Sequence, residues 1–263
     1  MSTTQPVSLP PPPSPPPYVT ENAVQQALRF LHNQYNPELG LLQESPTIRP
    51  NNYFLANDAL LAAYVLELWG EAALAQALRA TLAKYHVSGN DFVDVAWGEA
   101  IPWPPKHFED PGSLVETIGD AQIMTIRHDG PGYFSDWSGY ANLAFMAVVN
   151  EINQGYLESA RRLYEIEMST FDGYGFPDLA YHAREGVYET LGLAWGVYAG
   201  AKLCVPIERQ MLDQLLRQQS PETGGVHTHF RATADRLADP NVETTAVTLL
   251  ALKALQHASC GAP

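Results

Sequence analysis

The chain has 263 residues and a formal net charge of −14, with 15 Lys and Arg against 29 acidic residues. A hydrophobic content of 46% is ample for one sizeable core. So few cations exclude the positive footprint that nucleic acid, anionic membranes or acidic polysaccharides require, and a neutral oligo- or polysaccharide fits this balance better.

No apolar stretch is long enough to span a bilayer, and no charged n-region followed by an apolar core marks a secretion signal. Residues 5–17 (QPVSLPPPPSPPP) have no core of their own. Residues 1–19 are therefore expected to form an extended proline-rich tail or linker, because the basic anchor of an SH3 ligand is missing. Such a linker raises the expectation of a domain carried by a larger exported protein, although no residue fixes the compartment. Cys204, in an apolar run, is expected to be a small core residue, and Cys260 lies near the C-terminus. No zinc-type spacing or disulfide framework can be read from two cysteines, and nothing in the sequence specifies an oligomeric state.

From residue 20 the pattern is helical. Thr20 or Asn22 can cap a helix with Val24, Ala27, Leu28 and Leu31 on one face, stopping at Asn36-Pro37. A second helix from Asn57-Asp58 to Gly70 is apolar on nearly every side, and a third, Glu71 to Tyr85, is amphipathic. Residues 87–137 break the rhythm with Gly, Pro and Trp. The runs Phe92-Val93-Asp94-Val95 and Ile123-Met124-Thr125-Ile126 predict short hairpins within an insertion. Helices resume at Ser138 or Asn142, at Tyr156 to Met168, at Val187 to Leu203 (apolar all round), at Ile207 to Gln218, and at Val242 to Gln256.

A unit of roughly 50–60 residues recurs, the kind of period that marks repeated helical architecture. An amphipathic helix ends in a glycine turn (Asn36 to Gly40, Phe171 to Gly175, Ser220 to Gly225). A polar stretch follows (Gln43-Glu44, Asp178, His227-Thr-His229), and an apolar helix then opens with an acid or amide (Asp58, Asn142, Glu189, Glu243). Half-polar helices belong outside and all-apolar ones inside. The expected fold is all-α: an α/α toroid, or incomplete toroid, of about four helical hairpins over residues 20–258 with a β-containing insertion at 87–137. An irregular bundle or open solenoid is the alternative.

The turn Ser220-Pro-Glu-Thr-Gly-Gly225-Val, followed by Asn241-Val-Glu243-Thr-Thr-Ala and an Ala/Leu-rich helix, resembles the repeats of α/α-toroid proteins. That grouping includes six-hairpin glycosidases, toroidal polysaccharide lyases and the terpenoid cyclase/prenyltransferase group. The resemblance is one of pattern across most of residues 20–257. It implies a ring of inner helices but no single activity.

If the inner helices run parallel, their N-termini meet on one face. Asp58, Asn142, Glu189 and Glu243 would then ring a cavity, with Glu44, Asp178, His182, His227 and His229 supplied by loops. The insertion would wall it with Trp97, Trp103, Tyr133, Asp136 and Trp137. Carboxylates beside aromatic rings suggest a sugar site. Paired carboxyls can hydrolyse a glycosidic bond, one donating a proton and the other ionised. Glu189, entering a greasy helix, suits the acid. Asp58 and Glu243, favoured as anions by a helix N-terminus, suit the ionised role. Helix capping is the competing account of both. No cofactor is expected, with a divalent ion at His227 and His229 as a weak alternative.

Other readings have less support. No DxDD acid marks a terpenoid cyclase, and no metal cysteine a prenyltransferase. Asn142, His229 and Tyr140 could serve a lyase, but lyases act on uronates, which the charge opposes unless Arg49 and Arg231 line the cavity. The insertion acids Asp94, Glu99, Glu116, Asp120 and Asp129 are expected to be solvated. A phosphate loop, serine elbow and HExxH are not evident. A non-catalytic glycan- or peptide-binding module is the alternative to a glycoside hydrolase.

Overall fold

The computed structural model describes residues 21–46, 53–87, 91–109, 112–233 and 235–257. The proline-rich segment 1–19, the Thr20 cap, Arg49 and Cys260 lie outside the described residues.

Four helices are buried nearly all round: α2 (Ala56–Leu68), α5 (Ala141–Asn153), α8 (Thr190–Lys202) and α10 (Val242–His257). Each lacks a polar face, so each must be covered on all sides. In space α10 packs between α2 and α8, and α8 also packs on α5. The short α4 (Asp91–Trp97) touches both α2 and α5. Amphipathic helices lie outside: α1 (Glu21–Gln34) on α10, α3 (Ala72–Lys84) on α2, α6 (Leu157–Met168) on α5, and α9 (Arg209–Arg217) on α8.

Helices account for 52% and strands for 16% of the described residues, so the chain is mixed α/β. The expected all-α fold, and the α/α toroid built on it, are corrected. Three small sheets overturn them. One pairs β1 (Tyr35–Asn36) with β2 (Leu41–Leu42). A second joins β3 (Tyr53–Leu55) in parallel to β5 (Ala121–Thr125), which pairs antiparallel with β4 (Ser113–Ile118). The third orders β6 (Val187–Glu189), β7 (Val226–Arg231) and β8 (Arg236–Asn241), all antiparallel. Strands thus form where polar segments lead into buried helices. There the arriving backbone is extended and needs hydrogen-bond partners of its own.

Three local expectations also change. Phe92–Val95 belongs to α4, not to a strand: buried Val93, Val95 and Ala96 cover more than one side of the chain, as a helix wedged between two others requires. Val187–Glu189 is a strand preceding α8 rather than its first turn. Cys204 is exposed, at a left-handed position (φ 55°) just past the end of α8, and is not a core residue.

The tightest helix contact runs along α8. Gly192, Gly196 and Gly200 recur every four residues and share one face. A Cβ at Gly192 would lie 2.9 Å from the Ala141 Cβ, at Gly196 2.9 Å from the Phe145 ring, and at Gly200 2.5 Å from the Tyr164 hydroxyl. This glycine stripe lets α8 settle against α5 and α6. Replacing Gly196 with leucine should therefore cost about 1–3 kcal/mol by overpacking. Urea unfolding checks this, and an unchanged midpoint would mean that the two helices are not in contact there.

Candidate functional site: an acid cluster at the starts of the buried helices

The site begins with Glu44, two residues beyond β2. Its backbone N–H donates to the Tyr53 carbonyl (3.0 Å), and its carbonyl accepts from the Val242 N–H (2.9 Å). Glu44 is thereby fixed between the start of α2 and the start of α10. Its carboxyl lies beside that of Asp58, near the Glu243 backbone N–H and the Asn241 side chain, which act to offset its burial. Glu44 and Asp58 are buried, whereas Glu189 and Glu243 remain part-exposed.

Capping does not explain Asp58, Glu189 or Glu243. The cap of α10 is Asn241, whose Oδ1 accepts from the Thr244 N–H (2.9 Å). Glu189 occupies the N-cap position of α8 with an extended backbone but makes no side-chain cap bond. At α2, Asn57 Oδ1 accepts from the Ile126 N–H (2.7 Å) and the Thr125 hydroxyl (3.0 Å), so it clamps the insertion instead of capping the helix.

Electrostatics tie the acids together. Burial pushes Glu44, Glu189 and Glu243 up to about 8, and Asp58 well above the usual carboxylate range. Neighbouring acids add to this: Glu44 acts on Asp58, Asp58 on Glu243, and Glu243 and Asp178 on Glu189. Tyr53 and Tyr181 are also raised, first by burial and then by these acids. Among the described residues no ion pair reaches the cluster; the pairs present, such as Arg79–Glu67 and Arg127–Glu109, lie elsewhere.

The other predicted residues divide into those near the cluster and those away from it. His229 stands opposite Glu189 in the β6–β7 register, and residues so paired present side chains on one face of the sheet. Its Nδ1 shares a 2.8 Å hydrogen bond with the Thr228 hydroxyl, and its ring meets Tyr181 edge-on at 4.2 Å. Its Nε2 is buried without a hydrogen-bond partner, and burial pulls its pKa down. Asp178 is buried and accepts from the N–H groups of Tyr181 (2.6 Å) and His182 (3.2 Å). It therefore shapes the turn before α7 (His182–Glu185). His182 packs on Tyr188 at 4.6 Å.

His227 is held by the Ala238 carbonyl at 2.8 Å, beyond a register shift that separates its pairing from that of His229. Among the described residues no three His, Cys, Asp or Glu side chains are placed to hold one metal ion. Asn142 bonds the neighbouring Leu143 N–H (2.8 Å) at the start of α5, which abuts the start of α8 through Gly192. Trp137 and Trp103 meet edge-to-face at 5.6 Å, beside exposed Asp136. The Leu179 N–H to Gly139 carbonyl bond (3.0 Å) joins that group to the Asp178 loop. Tyr133 is exposed on the insertion.

Trp97 is not at the site. It packs on Tyr64, in the second half of α2, and the Tyr198 hydroxyl, late in α8, bonds Ala96 beside it (3.0 Å). Both contacts lie toward the far ends of helices whose starts carry the acids, because α4 is a helix that carries Trp97 away. Tyr53, Tyr181 and the place of Asn241 beside Glu44 were not foreseen as parts of the site. The signal for Tyr53 was its place just before the inner helix.

The cluster sets a pH dependence for stability. Glu44, Glu189 and Glu243 bind protons more tightly folded (about 8) than in an ordinary setting (4.5). Glu167, buried in α6 and raised to about 7, acts in the same direction. Through that interval the native state holds more protons than the unfolded one, so stability is full below the lower value and falls as pH rises through the upper one. The urea midpoint should drop between roughly pH 5 and pH 8, and Glu44→Gln should blunt the drop. An unchanged midpoint over that range would mean that these carboxyls are solvated.

Compared with protein-family models, with curated proteins and with solved structures, the chain matches none, so its function must be argued from this geometry.

Proposed function

We propose that the acid cluster is an acid–base site that hydrolyses a glycosidic bond in a neutral glycan. The observation that carries this reading is the meeting of Glu189 and Glu243, both part-exposed and electrostatically coupled, at the starts of adjacent buried helices. Four carboxyls this close do not all ionise, so protonated and ionised groups coexist near neutral pH. The ionised role expected for Asp58 from the helix dipole is revised, since burial raises it and its carboxyl lies beside that of Glu44.

Glu189 donates its proton to the leaving oxygen. Glu243 takes the proton of the attacking water as the water oxygen bonds to the anomeric carbon. Glu44 and Asp58 stay protonated beside one another, and Glu243 acts as the base once it loses its own proton as pH rises toward about 8. Exposed Leu179 and Tyr181 beside Asp178 offer apolar surface for a sugar face. The same surface favours a second reading, a glycan-binding module without turnover.

Reducing-sugar release on neutral polysaccharides tests the proposal. Glu189→Gln should lower turnover by about 10²-fold or more with the fold retained by circular dichroism. Equal turnover by the variant would sink the assignment, and retention of glycan without release by the unaltered chain would favour the binding module.

A further inference from the structure

We propose that the ligand of this site carries a protonated primary amine, whose ammonium group sits among Glu44, Asp58, Glu189 and Glu243. The inference rests on the glycan reading for the site's location and deepens it, because it replaces a wholly neutral ligand with an amine-bearing one.

Three observations carry it. Glu44 is only 4% exposed, is held between the starts of α2 and α10 by its backbone bonds to Tyr53 and Val242, and keeps Oε2 without a hydrogen-bond partner. A buried acceptor of that kind costs free energy until a donor meets it. Next, no ion pair among the described residues reaches the cluster, so a cationic donor is the group that relieves both the bare oxygen and the mutual repulsion. Finally, His229 Nε2, on the residue paired with Glu189 across β6 and β7, is likewise buried without a hydrogen-bond partner. Tyr53 and Tyr181, coupled to the same acids, add aromatic surface for a cation. The chain's charge of −14 draws cations toward it from solution.

The titratable groups of the cluster and those electrostatically coupled to it are Glu44 and Tyr53 before α2, Asp58 on α2, Asp178, Tyr181 and Glu185 around α7, Glu189 on β6, His229 on β7, and Glu243 on α10. Because the acids hold protons in the empty site, seating an ammonium group must expel protons to the solvent. Affinity should then rise with pH until the amine itself deprotonates.

Two chemical sources share the amine, an amino sugar and a free polyamine, and calorimetric titration of the full chain separates them. The probes are a glucosamine tetramer, a glucose tetramer of the same linkage and spermidine, run near neutral pH in two buffers of different ionisation heat. The glucosamine tetramer should bind at least ~10-fold more tightly than the glucose tetramer and release protons. Glu44→Gln should erase the difference, and Glu243→Gln serves the same comparison if the first variant does not fold. Equal binding of the two tetramers, or amine binding without proton release, would overturn the inference. Cleavage of the glucose tetramer with no advantage for the amine would reject it while leaving the hydrolase reading intact. Tight, proton-releasing binding of spermidine alone, lost in Glu44→Gln, would uphold the amine and reject the glycan.

Discussion

A helix that is apolar on every side can be polar only at its ends, and this constraint organises the molecule. α2, α5, α8 and α10 must each be surrounded, so the chain reaches their starts below the surface, where water cannot satisfy its backbone. Three of the four are reached along strands. β3 runs directly into α2, β6 into α8 and β8 into α10, and each strand pairs with a neighbour on arrival. The side chains at those junctions are therefore held by two kinds of regular structure at once. That double constraint keeps Glu243 near both Asp58 and Glu189 despite the cost of burying all three.

The protonation of the cluster follows from comparing two magnitudes. A helix N-terminus favours an anion by about 0.3–1 kcal/mol. Removing a carboxylate from water without a counter-charge costs several kcal/mol. Burial is the larger effect, so Glu44 and Glu243 hold protons to about 8 although both lie at the start of α10. The dipole argument fits acids on exposed helix starts. It fails for Asp58 because the first turn of α2 is buried and Glu44 stands against it.

Much of the helical part was legible because an all-apolar run of a dozen residues has few alternatives to a buried helix. The phase of the repeat also pointed to Asp58, Glu189 and Glu243 near the starts of buried helices, and to Glu44 in a polar stretch before one, although their offsets from the helix starts differ. The strands were hidden for physical reasons. β6 has three residues and pairs with β7, well over thirty residues on, while β8, in a local hairpin with β7, contains Asp239-Pro240, types that are depleted in strands. Phe92–Val95 has strand-like composition, yet contact with α2 and α5 selects the helix. That single change accounts for the displacement of Trp97. Asn241 was legible as a cap, but its place beside Glu44 required the fold.

The cluster also lies on the seam between the first and last parts of the chain. The Val242 N–H reaches back to the Glu44 carbonyl (2.9 Å), the Trp69 indole donates to the Leu249 carbonyl (3.1 Å), and the Gln219 amide donates to the Ala23 carbonyl (2.8 Å). These contacts join residues about two hundred positions apart in sequence, so they share with the acid cluster the cost of closing one long loop. Glu44 and Asp58, side by side near Asn241, place the polar cluster on that same seam. A proton on Glu44 or Asp58 allows their carboxyls to attract, whereas a charge on each makes them repel. The group proposed to bind ligand is thus also one that holds the two ends of the fold together. A proton and a bound cation each relieve the cluster and so favour the fold, but they compete for it, so protonation raises stability while it opposes binding.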